Sequence, residues 1–107
     1  MKSNLDRAFE RLARAFLSEH PEVRHEWREV KSRFWGNRID LVCGTGSPTE
    51  VFASLQGGGQ IALGLTTGEH EDFEDFGRGL SDEQVAQAAF DRFVELLAEH
   101  GHLGRAA

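Results

Sequence analysis

Apolar residues recur at helical spacing near both ends of the chain. In the N-terminal part this apolar stripe consists of Leu5, Phe9, Leu12 and Phe16. Positions three or four apart lie on one face of an α-helix, so the spacing predicts an amphipathic helix from about residue 4 to residue 19. Ser3 or Asn4 can cap this helix, and Pro21 stops it.

The second helix has the more clearly marked start. Ser81-Asp82-Glu83-Gln84 has the capping-box form, in which the cap serine and a glutamine three residues later exchange hydrogen bonds with the backbone. The apolar stripe that follows consists of Val85, Ala89, Phe90, Phe93, Val94, Leu96 and Leu97. Because Gly101 suits a helix C-terminus, the pattern predicts a helix that ends near residue 99.

Between the two helices, apolar and polar residues alternate over segments of strand length. Residues 24–34, 38–43, 51–55 and 60–65 each predict a strand, and Trp35-Gly36-Asn37-Arg38 predicts a two-residue hairpin turn after the first of them. The positions predicted to face the core are Ile39, Leu41, Cys43, Val51, Ala53, Leu55, Ile61, Leu63 and Leu65. Since only one face of the sheet is apolar, both helices are expected to cover that face.

These elements predict an α+β fold in a single domain, residues 1–107. The order is α-β-β-β-β-α, with a four-stranded antiparallel β-meander packed against the N-terminal and C-terminal helices. A chain of 107 residues buries roughly 65% of the surface that its unfolded form exposes. Its core is therefore expected to need no disulfide or structural metal ion.

An acidic run containing two aromatic residues is predicted to join the last strand to the second helix. This acidic segment consists of Glu69, His70, Glu71, Asp72, Phe73, Glu74, Asp75 and Phe76. In one interpretation both phenylalanine rings fill the core beneath a loop whose carboxylates are only solvated. In the other, at least one ring or several carboxylates stay at the surface and bind a basic partner. The two are compatible if the rings hold the loop while the acids face outwards.

Charge is distributed unevenly along the chain. The net charge is −6, but residues 1–54 hold nine Lys/Arg against eight Asp/Glu, whereas residues 55–107 hold three against ten. Such a surface repels nucleic acid and anionic lipid, and it attracts basic proteins over a Debye length of about 8 Å. The expected partner is therefore a basic protein, such as a toxin or a nucleic-acid-binding enzyme, rather than nucleic acid itself or a membrane.

The sequence contains no recognisable motif for catalysis, cofactor binding or metal binding. Its five histidines include no H-E-x-x-H pattern and no paired cysteines accompany them. Gly44-Thr45-Gly46 and Gly57-Gly58-Gly59 precede strands and lack a P-loop lysine, so both predict turns. The single Cys43 excludes an internal disulfide and is predicted to be buried. No catalytic residue, cofactor or metal ion is assigned, and the absence of a signal peptide or membrane span favours a cytoplasmic location.

In its acidic residues from Glu69 to Asp75 and its compact α+β plan, the chain resembles small bacterial immunity and antitoxin proteins. The resemblance is to a class of proteins and covers the general plan of the whole chain. It implies a cytoplasmic inhibitor that blocks a toxin by covering the toxin's active site. No functional residue is transferred from it.

Three functions stay open on the sequence alone. The first is a non-enzymatic inhibitor that uses the acidic segment to occupy a basic site on a protein partner, with mimicry of nucleic acid phosphate as one form. The second is a small-molecule-binding or enzymatic domain with a pocket between the sheet and the last helix, where His70 and a nearby carboxylate act as acid and base. The third is an adaptor or oligomerisation module, a homodimer included, built on an exposed sheet edge.

Overall fold

The computed structural model describes residues 3–32, 36–56 and 59–103. These residues form two helices and five strands, and the strands make one antiparallel sheet in the order β1-β2-β3-β4-β5. The elements are α1 (Asn4–Glu19), β1 (His25–Ser32), β2 (Gly36–Cys43), β3 (Val51–Leu55), β4 (Ile61–Leu65), β5 (His70–Phe73) and α2 (Asp82–Glu99). The predicted α+β class and both helices are confirmed.

Both helices begin with a capping box, which was predicted for α2, whereas for α1 only a cap at Ser3 or Asn4 was predicted. The Ser3 side chain accepts from the Asp6 amide in α1, and the Ser81 side chain accepts from the Gln84 amide in α2. Helix α2 ends at Glu99, and Gly101 just beyond it has a φ of 74°, in the left-handed region where glycine carries no Cβ penalty. The ends of the helices are thus set by local sequence, as predicted.

The sheet has five strands where four were predicted, because part of the acidic segment pairs with β4. Residues 70–73 run antiparallel to β4, with Glu71 opposite Leu63. A tight turn makes this possible, since the Gly68 amide donates to the Leu65 carbonyl at 2.9 Å and Gly68 adopts a φ of 100°. The strand escaped prediction because its residues are mainly charged, so the alternation of apolar and polar positions that marks a strand is missing.

The predicted turn of the first hairpin is wrong in position. Gly36 and Asn37 lie inside β2, opposite Ser32 and Lys31, and therefore do not form the turn. The pairing of eight residues in each strand outweighs the local preference of Gly and Asn for a turn. The described residues do not include Trp35, Gly57, Gly58 or residues 104–107. Most of the predicted Gly57-Gly58-Gly59 turn therefore lies outside them.

The core lies between the helices and one face of the sheet, here called the helix-covered face. All the strand residues predicted to face inwards are buried, except Ile39, which is partly buried. At the centre the rings of Phe9 in α1 and Phe93 in α2 meet edge to face with centroids 5.9 Å apart. Trp27 packs at the margin of this core beneath Arg14, whose guanidinium carbon lies 4.4 Å from the ring centroid.

The other face of the sheet, the open face, carries no helix within the described residues. Phe52 and Gly64 are partners in the β3–β4 register, and the Phe52 ring lies across the glycine. A Cβ atom at Gly64 would clash with this ring. The small residues of β4 on this face therefore seat an aromatic side chain of the neighbouring strand.

Candidate functional site

The acidic segment forms the edge strand β5 and the turn that follows it, beside helix α2. Glu69, His70, Glu71 and Asp72 are exposed. Phe73, Glu74 and Asp75 are partly buried, and Phe76 is 60% exposed. Four of the eight predicted residues therefore lie in the edge strand, one directly precedes it and three follow it.

Strand alternation divides the side chains of β5 between the two faces of the sheet. Glu71 is opposite the buried Leu63, so Glu71 and Phe73 point to the helix-covered face. His70 and Asp72 consequently point to the open face. Phe73 packs against the hydrophobic core and anchors the strand.

One arginine of α2 gathers three of the acidic side chains near β5. The Nε and Nη2 atoms of Arg92 donate to Glu71 at 3.0–3.1 Å. Its Nη1 atom donates to Glu95 at 3.2 Å and to Glu99 at 3.3 Å. Hydrogen bonding to Glu71 raises the pKa of the Arg92 guanidinium above its ordinary value. This Arg92 cluster joins the edge strand to α2, and its three carboxylates outnumber its one cation.

The remaining acids of the segment differ in what they do. The Asp75 carboxylate accepts from the Leu80 amide at 2.8 Å and so holds the turn before α2. Among the described residues, no cationic side chain lies within ion-pair distance of Glu69, Asp72 or Glu74. These three carboxylates are therefore not neutralised by the described part of the fold.

Phe76 is held in an unusual backbone conformation at the tip of the turn. The Arg78 amide donates to the Asp75 carbonyl at 3.1 Å, and the two residues between them have positive φ, 52° at Phe76 and 73° at Gly77. This combination is typical of a type I′ turn, which favours Asn, Asp or Gly at both central positions. Phenylalanine occupies the first of them here, with its ring mostly in solvent.

A cleft lies between the β4–β5 edge and helix α2. It has a volume of about 590 Å³ and is lined by Leu63, Gly64, Leu65, Glu69, His70, Glu71, Arg92, Leu96, Glu99 and His100. This β5 cleft occupies the place where the sequence predicts a small-molecule pocket. Strand alternation nevertheless points the side chains of His70 and Glu71 to opposite faces, so these two neighbours do not form an acid–base pair within it.

Other candidate reactive groups have structural roles. Burial raises the pKa of the Cys43 thiol to about 12, which keeps it protonated and unreactive at neutral pH. The Nε2 atom of His102 is 2.6 Å from the Thr49 carbonyl and ties the end of α2 to the loop before β3. Within the described residues, no group of three or more His, Cys, Asp and Glu side chains is arranged to hold a metal ion.

Arg92 was missed by the sequence analysis, although a signal for its role exists. Glu95 and Glu99 follow it by three and seven residues, which places all three on one face of α2. The missing information was the fifth strand, because only β5 brings Glu71 next to that helical face. Local spacing could therefore find the acidic side of α2 but not its contact with the sheet edge.

Comparison with known proteins gives no relative for this chain. It matches no protein-family model, no curated protein and no solved structure. In the part of the chain that the structure describes, neither helix is both long and apolar enough to span a membrane. Functional inference therefore depends on the site itself.

Proposed function

We propose that this protein is a non-enzymatic, acidic binding protein that inhibits a protein partner by covering a basic site. The observation that carries the proposal is the placement of Glu69, Asp72 and Glu74 within or directly beside the edge strand β5, with no described cation within ion-pair distance of them. A strand paired to the sheet presents its charges in a fixed arrangement, which reduces the entropy lost on binding. Complementary charge then favours partners rich in Lys and Arg.

The wider surface supports the same conclusion. Helix α2 adds Glu95 and Glu99 next to β5, and residues 55–107 together carry ten Asp/Glu against three Lys/Arg. Such a field accelerates association with a cationic protein and repels nucleic acid. An inhibitor that competes with nucleic acid for a basic active site would use the same charge pattern.

Phe76 adds an exposed apolar ring to the charged segment. Its ring is 60% exposed, and Phe76 and Leu80 are the exposed large hydrophobic residues of the described chain. Buried aromatic anchors contribute disproportionately to protein–protein affinity, whereas surrounding charges mainly accelerate encounter. Phe76 in an apolar pocket of the partner would therefore slow dissociation of the complex.

Two variants with equal net charge test this proposal. The site variant is E69Q/D72N/E74Q, which leaves Asp75 to hold the turn. The control variant is E19Q/E29Q/E83Q, whose three side chains are exposed and lie outside the acidic segment. Each protein is used to capture binding proteins from a lysate of the source organism, and the affinity of any captured protein is then measured with purified components.

We expect the wild type and the control variant to capture the same basic protein. The site variant should bind that protein about tenfold or more weakly while unfolding at the same temperature as the control. Equal affinities for the site variant and the control would overturn the proposal, because general charge rather than this segment would then determine binding. Inhibition of the captured protein's activity distinguishes an inhibitor from a simple adaptor.

A further inference from the structure

Strand β5 leaves one of its backbone edges unpaired. The Leu65 amide donates to the Glu69 carbonyl at 2.9 Å, which makes these two residues a hydrogen-bonded pair of the antiparallel ladder. Such pairs alternate along a ladder, so Glu71 bonds to β4 while the N–H and C=O groups of His70 and Asp72 point away from the sheet. No described strand lies beyond β5, and this edge is therefore open to a further strand.

Carboxylates lie on both sides of this open edge, with His70 beside Asp72 on the open face. The side chains of an added strand would alternate between the two faces of the sheet. On the helix-covered face they would enter the β5 cleft, close to Glu71 and Glu99, which together with Glu95 outnumber the single cation Arg92. On the open face they would lie beside Asp72. A matching strand therefore carries Lys or Arg, with the stem of at least one such side chain against the apolar wall formed by Leu63 and Leu96.

Other occupants of the edge fit less well. A second copy of β5 would place acidic residues against acidic residues, which is destabilising for strands in direct register. The opposite edge strand, β1, carries charges of both signs, and its Arg28 donates to Glu26 at 2.7 Å. Of the two edges of the described sheet, only β5 therefore combines unpaired backbone groups with an excess of acidic side chains over Lys and Arg.

We propose that the partner adds an extended segment bearing lysine or arginine to β5 as a sixth strand. Main-chain hydrogen bonds to His70 and Asp72 would supply affinity, and the acidic side chains would select a basic segment. This inference rests on the proposed function and specifies its mode of binding. It also gives the charged side chains of β5 a role, because they would lie beside the side chains of the added strand.

Defined peptides test the mode of binding directly. The probe is an eight-residue alternating Lys-Val peptide with an acetylated N-terminus and an amidated C-terminus. Its control is the same peptide N-methylated at the four central residues, which keeps every charge and removes backbone donors on both edges. Affinity is measured for the wild type and for E69Q/D72N/E74Q.

A pair of protein variants tests the same point from the other side. H70P removes an outward N–H group and no acidic residue, and proline is tolerated on edge strands where its missing N–H faces solvent. H70A is the matched control, since it removes the imidazole and keeps the N–H group. Amide hydrogen exchange of His70 and Asp72 in the wild type provides a readout that does not depend on the folding of H70P.

We expect the unmethylated peptide to bind the wild type at least about tenfold more tightly than the N-methylated one. Such a difference is typical of lost main-chain hydrogen bonds. H70P should bind the peptide at least about tenfold more weakly than H70A, and the peptide should slow exchange at both amides. Equal binding of the two peptides, no binding of either, or unchanged exchange would overturn strand addition. If both peptides bind the wild type equally and neither binds E69Q/D72N/E74Q, strand addition is wrong but the proposed function stands. If the unmethylated peptide binds that variant as tightly as the wild type, the selection by charge on which both proposals depend is contradicted.

Discussion

The helix-covered core and the turn after β5 hold phenylalanine rings in opposite environments. In the core, Phe9 and Phe93 are fully buried and meet edge to face. In the acidic segment, Phe76 is mostly exposed and has a backbone conformation that phenylalanine rarely adopts. The buried rings stabilise the folded chain, whereas the Phe76 ring would contribute only in a complex whose partner covers it. Under the proposed function, stability and binding therefore depend on different parts of this fold.

The largest effect is expected from truncating the core. Replacement of Phe93 by Ala removes a ring with no exposed surface and should lower the free energy of unfolding by about 3–5 kcal/mol. Replacement of Phe76 by Ala, the matched change at the exposed site, should lower it by less than about 1 kcal/mol. Urea unfolding of both variants measures the difference. Similar losses would show that the Phe76 ring is part of the core after all.

A second effect of the core appears at alkaline pH. The pKa of Cys43 is raised to about 12 in the folded chain, whereas an unfolded thiol ionises near about 8.5. The unfolded state therefore releases its proton first, and stability should fall by up to about 1.4 kcal/mol per pH unit as pH rises from about 9 towards 12. The chain has no Tyr to obscure this trend.

Unfolding experiments at a series of pH values test the thiol's contribution. The variant C43A should show a shallower decline in stability between about pH 9 and pH 11 than the wild type, whatever its stability at neutral pH. A slope that is the same in both proteins would mean that Cys43 is not the group responsible. The slope rather than the absolute stability is compared, because removing the sulfur also leaves a small cavity.

A gain in stability is expected at the exposed aromatic residue. Asn tolerates the left-handed region better than Phe, so F76N should raise the free energy of unfolding by about 1 kcal/mol. F76A is the control, since its Cβ atom keeps the same strain. The same F76N variant should bind the partner more weakly, because the apolar anchor is lost. A variant that is less stable than the wild type would contradict the assignment of Phe76 to binding rather than to folding.

The smallest effect is expected at the ion pair that joins the two regions. The side chains of Arg92 and Glu71 are 29% and 45% exposed, so their attraction is screened by solvent. A double-mutant cycle with E71Q and R92Q should give a coupling energy of about 0.5–1 kcal/mol that decreases in high salt. A much larger coupling would show that the Arg92 cluster supports the fold rather than orienting the edge.

The sequence predicts the core well because its signals are local and periodic. The two capping boxes and the apolar spacing of residues such as Leu41 and Leu63 determine the helices and the buried face. The acidic segment is harder, since β5 forms only where a distant strand offers its edge, and its charged residues give no strand pattern. The exposure of Phe76 and the contact of Arg92 with Glu71 likewise depend on tertiary packing. The sequence could therefore identify the acidic segment, but not which of its residues pack against the fold and which stay exposed.

The most direct test of the central claim is the salt dependence of partner affinity for the wild type, E69Q/D72N/E74Q and E19Q/E29Q/E83Q. If the acidic segment binds a cationic surface, the wild type and the control variant should lose affinity steeply with added salt. The site variant should bind more weakly at low salt and show a clearly shallower dependence. Identical salt dependences for all three proteins would contradict the account.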